Sequence, residues 1–118
     1  QLDDHNLISV VIMGQPELRE LLRYQPMEPL RQRISLHFHL HPLSVEETME
    51  YLDFRITAAG GSPGLFTPDA VQAVYELSAG VPRRINTVAT NALLVAYGND
   101  AAVIDASIIQ EVSNEVLL

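Results

Sequence analysis

Two arginines stand side by side where one predicted helix gives way to the next. The segment reads Gly80-Val81-Pro82-Arg83-Arg84-Ile85-Asn86, with the glycine as a helix stop and the proline as a helix start. The first turn of a helix exposes unpaired N–H groups, and an adjacent guanidinium adds a planar positive fork that suits phosphate. A phosphate contact is therefore one interpretation of the pattern. On spacing alone, an ordinary interhelical turn with solvated arginines is the preferred interpretation.

Arg31 and Arg33 lie directly before a predicted strand. A guanidinium at the rim of a sheet can project towards a neighbouring subunit, although a surface charge that pairs with Glu28 is the simpler alternative. Gln15 follows the first predicted strand at its C-terminal end, which is where open α/β sheets bind ligands. There a glutamine can orient a water molecule or contact a phosphate, or it can simply complete a turn.

Three histidines alternate along the second predicted strand and would share one of its faces, as zinc ligands do. They are His37, His39 and His41, and no cysteine or aspartate nearby offers a fourth ligand. A solvated polar strand face is the preferred interpretation, so no metal site is predicted. The sequence shows no Ser/His/Asp arrangement with a nucleophile elbow either.

Composition narrows the possible functions of the 118-residue chain. Its net charge is -8 and all 7 basic residues are arginines, so the lysine of a phosphate-binding loop is absent and a nucleic-acid surface is not favoured. There is no cysteine, and the apolar runs are far too short to span a membrane. A chain that begins with Gln and shows no leader pattern is expected to be cut from a longer intracellular protein.

The elements that must position these residues are unevenly distributed. Leu7 to Met13 predicts a fully buried strand, Pro16 to Tyr24 a short helix, and Ile34 to Leu40 a half-buried strand. Four helices should follow, starting near Ser44, Thr67, Pro82 and Asp105. The residues predicted to face inward on the last three are Val71, Val74, Tyr75, Leu77, Ile85, Val88, Ala89, Ala92, Leu93, Ile108, Ile109, Val112 and Val116.

The predicted fold is mainly α and has two parts. Two strands cannot form a stable open sheet by themselves, so residues 1–43 are interpreted as the end of an α/β sheet whose other strands lie elsewhere. Residues 44–118 are interpreted as a self-contained four-helix bundle.

Three stretches, taken together, resemble AAA+ ATPases of the general secretion pathway protein A type and their relatives among transposition ATPases. They are VVIMGQPELRELL, PLRQRISLHFHLHPLSVEET and LFTPDAVQAVYELSAGVPRRINTVATNALLVAY. The resemblance runs from about Leu7 to the end of the chain, and GQPELRE and GVPRRIN at this separation are its most specific parts.

The resemblance implies a role for each candidate residue. Gln15 matches the first sensor position near the γ-phosphate. It follows the segment that would be the fourth strand of the nucleotide-binding core. Arg33 matches the arginine finger that enters a neighbour's ATP site, and Arg31 competes for that role. Arg83 matches the second sensor arginine, which contacts the nucleotide of its own subunit, and Arg84 is a substitute for it.

The resemblance also implies that residues 1–43 end the AAA+ core and that residues 44–118 form the helical lid. The parent protein would bind and hydrolyse ATP with Mg²⁺ in an oligomeric ring, and it would drive assembly or remodelling of a secretion complex. It would act in the cytoplasm or as the cytoplasmic region of an inner-membrane protein. The fragment alone is expected to be inactive and to hold no cofactor.

Three other interpretations stay open at this point. A regulator of transposition that acts on DNA is the first, although the acidic balance disfavours it. A non-enzymatic helical adaptor that uses its arginines for protein contacts is the second, and a zinc-binding helical domain is the third.

Overall fold

The computed structural model describes residues 8–115, and the chain divides into two compact units, Gln1–His39 and Leu40–Leu118. The first unit contains helix α1 (Glu17–Arg23), a 3-10 turn (Gln25–Met27) and helix α2 (Glu28–Arg33). Prolines stand in the first turn of the 3-10 segment and of α2, where the missing N–H costs nothing. These three elements contain no buried residue.

The two predicted strands are not formed, and this corrects the prediction. Within the described residues, 8–13 and 34–40 carry no strand, and apart from the half-buried Ile34 their apolar side chains are exposed, with Met13 at 88% and Phe38 at 83%. A strand forms only where its N–H and C=O groups pair with a neighbouring strand, and the described residues provide no such neighbour for either segment. Leu7, the first residue of the first predicted strand, lies outside the described residues.

The second unit contains four helices, as the helix start and stop signals predicted. They are α3 (Val45–Ala58), α4 (Pro68–Ser78), α5 (Pro82–Gly98) and α6 (Ala106–Glu115). Helix α4 packs against the other three, and α5 also packs against α6. None of the helices described between residues 8 and 115 has the length and apolarity needed to cross a membrane.

Side-chain caps fix where these helices begin. The Ser44 hydroxyl accepts the Glu47 N–H (3.1 Å), while the Glu47 carboxylate accepts the Ser44 N–H (2.9 Å), which is the predicted capping box. Asp105 accepts the Ile108 N–H (3.2 Å) before α6. Because these bonds satisfy N–H groups that the helix itself leaves unpaired, the starts were readable from the sequence.

All the buried apolar side chains of the described residues lie in the second unit and form one core. They are Leu52, Phe66, Ala70, Val71, Val74, Ile85, Val88, Ala92, Ala96, Ile104, Ile108, Ile109 and Val112. Leu93 was predicted to face inward, but it is 38% exposed, because the inward face of this part of α5 is formed by Ala92, as predicted, and by Ala96. Val116 lies outside the described residues.

The loops before α4 and α6 meet in a single parallel bridge between Phe66 and Ile104. The Thr67 N–H donates to the Ile104 carbonyl (2.9 Å), and the Ile104 N–H donates to the Leu65 carbonyl (2.8 Å). This bridge closes the core where α4 and α6 begin.

Candidate functional site

The turn between α4 and α5 holds two consecutive residues in left-handed backbone conformations. Ala79 has φ 53° and Gly80 has φ 77°. The Leu43 N–H donates to the Gly80 carbonyl (2.8 Å), and a Cβ added at Gly80 would lie 2.0 Å from the Leu43 carbonyl oxygen. Only glycine therefore fits the close approach that docks Leu43, at the start of the unit, against this turn.

Arg83 and Arg84 occupy the first turn of α5, directly after Pro82. The residue before the helix is Val81, which has no polar side chain, and no side-chain cap is formed. Both arginines are exposed, and among the described residues neither guanidinium forms an ion pair or a hydrogen bond. The first turn of α5 thus combines uncapped N–H groups with two unpaired positive charges, an arrangement that suits an anion such as phosphate.

A polar network links α3 to the residue that follows this first turn of α5. The Tyr51 hydroxyl donates to the Asn86 side-chain oxygen (2.8 Å), and it accepts from Arg55 Nη1 (3.3 Å). The Arg55 guanidinium also lies over the Tyr51 ring, with 5.8 Å between its central carbon and the ring centroid. The sequence analysis missed this network, because Tyr51 and Asn86 are 35 positions apart.

The arginines of the first unit differ in their surroundings. Arg31 Nη1 donates to the Leu22 carbonyl (3.0 Å), and its Nη2 lies 3.9 Å from a Glu28 carboxylate oxygen. The predicted alternative of pairing with Glu28 is therefore observed for Arg31. Arg33, the last residue of α2, is exposed and makes no side-chain hydrogen bond or ion pair within residues 8–115. Of the two, Arg33 is the one whose guanidinium is available to another molecule.

Gln15 lies in the turn that leads into α1. Its backbone carbonyl accepts the Leu18 N–H (2.8 Å), and the residue is exposed. Gln15 and Arg33 belong to the first unit, whereas Arg83 and Arg84 share one turn of the second.

Between residues 8 and 115, no three His, Cys, Asp or Glu side chains are grouped so as to hold a metal ion, and this includes His37, His39 and His41.

Comparison with known proteins finds a similarity to proteins of the general secretion pathway protein A type, and the resemblance predicted from the sequence is confirmed over the matched residues. The particular relative is General secretion pathway protein A of Aeromonas hydrophila, which is 41% identical over 97 residues.

The match covers 82% of this chain but 18% of the relative's length, so the chain corresponds to a small part of that protein. No protein-family model matches the chain. No solved structure matches it either.

Proposed function

We propose that this chain is the sensor-and-lid part of a secretion-associated AAA+ ATPase. The observation that carries the proposal is the first turn of α5, where two exposed, unpaired arginines follow an uncapped helix start. The 41% identity to General secretion pathway protein A supports the assignment to a secretion system. In the intact protein, ATP would be bound and hydrolysed in an oligomeric ring, and the energy would assemble or remodel a secretion complex.

Arg83 is proposed to contact the phosphates of ATP bound by its own subunit, with Arg84 as a second donor. A guanidinium offers paired N–H donors that match two phosphate oxygens, and its charge does not depend on pH in the physiological range. The site fits such a ligand because neither arginine is already paired within the described chain.

Arg33 is proposed to act in a neighbouring subunit's ATP site. An arginine supplied from outside stabilises the charge that develops on the transferring phosphoryl group and is worth about 10³ to 10⁵ in rate. Arg33 is preferred to Arg31 because Arg31 is held by the Leu22 carbonyl and lies near Glu28. Gln15 is proposed to orient water or contact the γ-phosphate at the first sensor position.

The remaining parts of an ATP site are expected outside this chain. It contains no lysine for a phosphate-binding loop, and residues 8–115 hold no acidic cluster suited to Mg²⁺. The chain by itself is therefore expected not to hydrolyse ATP or retain the nucleotide. The intact protein is proposed to act in the cytoplasm or as the cytoplasmic region of an inner-membrane protein.

The test measures ATP turnover and nucleotide binding in the intact protein that contains this segment. Arg33→Ala is expected to lower turnover by about 10³-fold or more while ATP binding persists. Arg83→Ala is expected to weaken ATP binding. Arg19→Ala is the matched control, since Arg19 is an exposed arginine on α1 without a described side-chain partner.

The alternative functions correspond to other outcomes of the same experiment. Turnover and binding that survive both substitutions would favour the helical adaptor, in which the arginines contact a protein. Stimulation of turnover by DNA in the wild type would favour the transposition branch over the secretion branch.

A further inference from the structure

Hydrogen bonds to other parts of the unit lie before and after the arginine pair at the start of α5. Before the pair, the Leu43 N–H donates to the Gly80 carbonyl (2.8 Å). After the pair, Asn86 accepts the hydrogen bond of the Tyr51 hydroxyl (2.8 Å). Arg83 precedes Asn86 by three residues, so the two side chains lie next to each other on one face of the helix.

Helix α5 has no side-chain cap at its start, so contacts with other elements fix where its first turn lies. Its first residue is a proline and the residue before it is a valine, so no side chain caps the helix. The other helices of the unit have a capping side chain, from Ser44, Thr67 and Asp105. The start of α5 is therefore held by contacts with neighbouring elements, namely the hydrogen bonds before and after the arginine pair and the packing of the fully buried Ile85 in the core.

We propose that Tyr51 is a positioning residue for the Arg83 site, through its hydrogen bond to Asn86 and its contact with Arg55. This inference rests on the proposed function, because it assumes that Arg83 contacts a nucleotide phosphate. Arg55 lies over the Tyr51 ring and donates to the same hydroxyl, which restrains the tyrosine on α3. The network thereby fixes the first turn of α5 against α3 and aims the guanidinium of Arg83.

Tyr51→Phe removes the hydroxyl alone and keeps the ring that packs against the core. In the intact protein, we expect the KM for ATP to rise about two- to threefold, which is the lower end of the range for losing one net hydrogen bond, because this bond is exposed. The value of kcat should change by less than about twofold, since a phosphate contact made equally before and during the reaction affects KM. Tyr97→Phe is the control, because Tyr97 lies on α5 as Arg83 does, is 88% exposed, and its hydroxyl makes no described hydrogen bond.

A second measurement separates positioning from general stabilisation. The Tyr51–Asn86 bond is exposed, so Tyr51→Phe should leave the Tm of the 118-residue chain within about 2 °C of the wild type. Combining Tyr51→Phe with Asn86→Ala should raise the KM no further than Asn86→Ala alone, because both act through one bond. A strictly additive rise, or a KM change that follows a loss of Tm, would overturn the positioning role.

Failure of this inference is distinguishable from failure of the proposed function. If Arg83→Ala raises the KM but Tyr51→Phe behaves like Tyr97→Phe, then Tyr51 is not a positioning residue and the ATPase proposal stands. If Arg83→Ala itself leaves the KM unchanged, the sensor assignment is wrong and this inference fails with it.

Discussion

Asp105 accepts two hydrogen bonds at the start of α6. The Ser107 hydroxyl donates to its carboxylate (2.6 Å), as does the Ile108 N–H (3.2 Å). The Ser107 hydroxyl first, and then the Ile108 N–H, lower the pKa of Asp105 from its ordinary value, because both bonds favour the charged form. A lowered pKa in the folded state means that the ionised carboxylate stabilises the fold.

We therefore predict that Asp105→Asn makes the chain slightly less stable at pH 7. Asparagine is also a good capping residue, so the substitution removes mainly the charge. The difference in unfolding free energy between wild type and Asp105→Asn should be constant above the ordinary aspartate pKa of about 4. It should vanish as the pH falls through the lowered pKa of Asp105 in the folded state. Thermal unfolding of both proteins between pH 2 and pH 7 measures this.

Ser107→Ala is the companion variant for this prediction. It keeps the carboxylate but removes its first donor, so the pH-dependent stabilisation should shrink without disappearing. A stability difference between wild type and Asp105→Asn that stays the same at every pH would contradict the prediction.

The individual residues of the candidate site were partly readable from the sequence. Arg83 and Arg84 stood out because Gly80 and Pro82 mark the turn before the helix that carries them, whereas Arg33 stood out because it precedes a predicted strand that is not formed. The Tyr51 network was not readable, because it depends on how α3 lies against α5. Likewise, Arg31 donates to the Leu22 carbonyl nine residues away, and no sequence pattern predicts a hydrogen bond to a backbone acceptor.

At the scale of elements, the helices were predictable and the strands were not. A helix satisfies its backbone within itself, so caps and periodicity such as those of α3 and α4 decide its existence locally. A strand needs a partner that a local pattern does not supply. The alternation of Ile34, Leu36 and Phe38 is real, but the described chain offers no neighbouring strand to pair with it.

Glycine can be required by a positive φ or by a close neighbour, and the α4–α5 turn allows a prediction that separates these two causes. Gly80 and Gly64 both have positive φ values, 77° and 85°. An added Cβ at Gly80 would clash with Leu43, whereas at Gly64 nothing lies within 4 Å. Gly64→Ala should cost about 1–2 kcal/mol for its left-handed conformation, and Gly80→Ala should cost a further 1–3 kcal/mol for the clash.

Urea unfolding of the two variants measures this difference in the free energy of unfolding. Comparable losses for Gly80→Ala and Gly64→Ala would show that Leu43 moves aside without cost. The close contact between Leu43 and the turn would then not be a tight one in solution.

At the scale of the whole molecule, the acidic charge of -8 does not neutralise the arginines of the second unit. Both ion pairs of the described residues lie in the first unit, between Arg23 and Glu20 and between Arg31 and Glu28. Net charge alone pointed away from a nucleic-acid partner, but charge is arranged locally. Arg83 and Arg84 form no ion pair with the described residues although the chain is acidic, and this supports the proposal that they contact a phosphate outside the described chain.

The distribution of buried residues predicts that the second unit folds alone. Its core runs from Leu52 to Val112, whereas α1, the 3-10 turn and α2 contain no buried residue. The segment 40–118 should therefore unfold cooperatively with a Tm within about 3 °C of that of the whole chain, since burial of apolar surface dominates stability. Circular dichroism at 222 nm during heating measures both proteins.

Two substitutions extend this test by placing a cavity inside the core and a matched deletion outside it. Ile85 is fully buried, so Ile85→Ala should cost about 2–5 kcal/mol and should do so equally in the segment and in the whole chain. Leu36→Ala in the whole chain should leave the Tm unchanged, because Leu36 is 83% exposed. A segment 40–118 that melts without a cooperative transition, or a Tm that falls with Leu36→Ala, would mean that the first unit contributes to a core that the described structure does not contain.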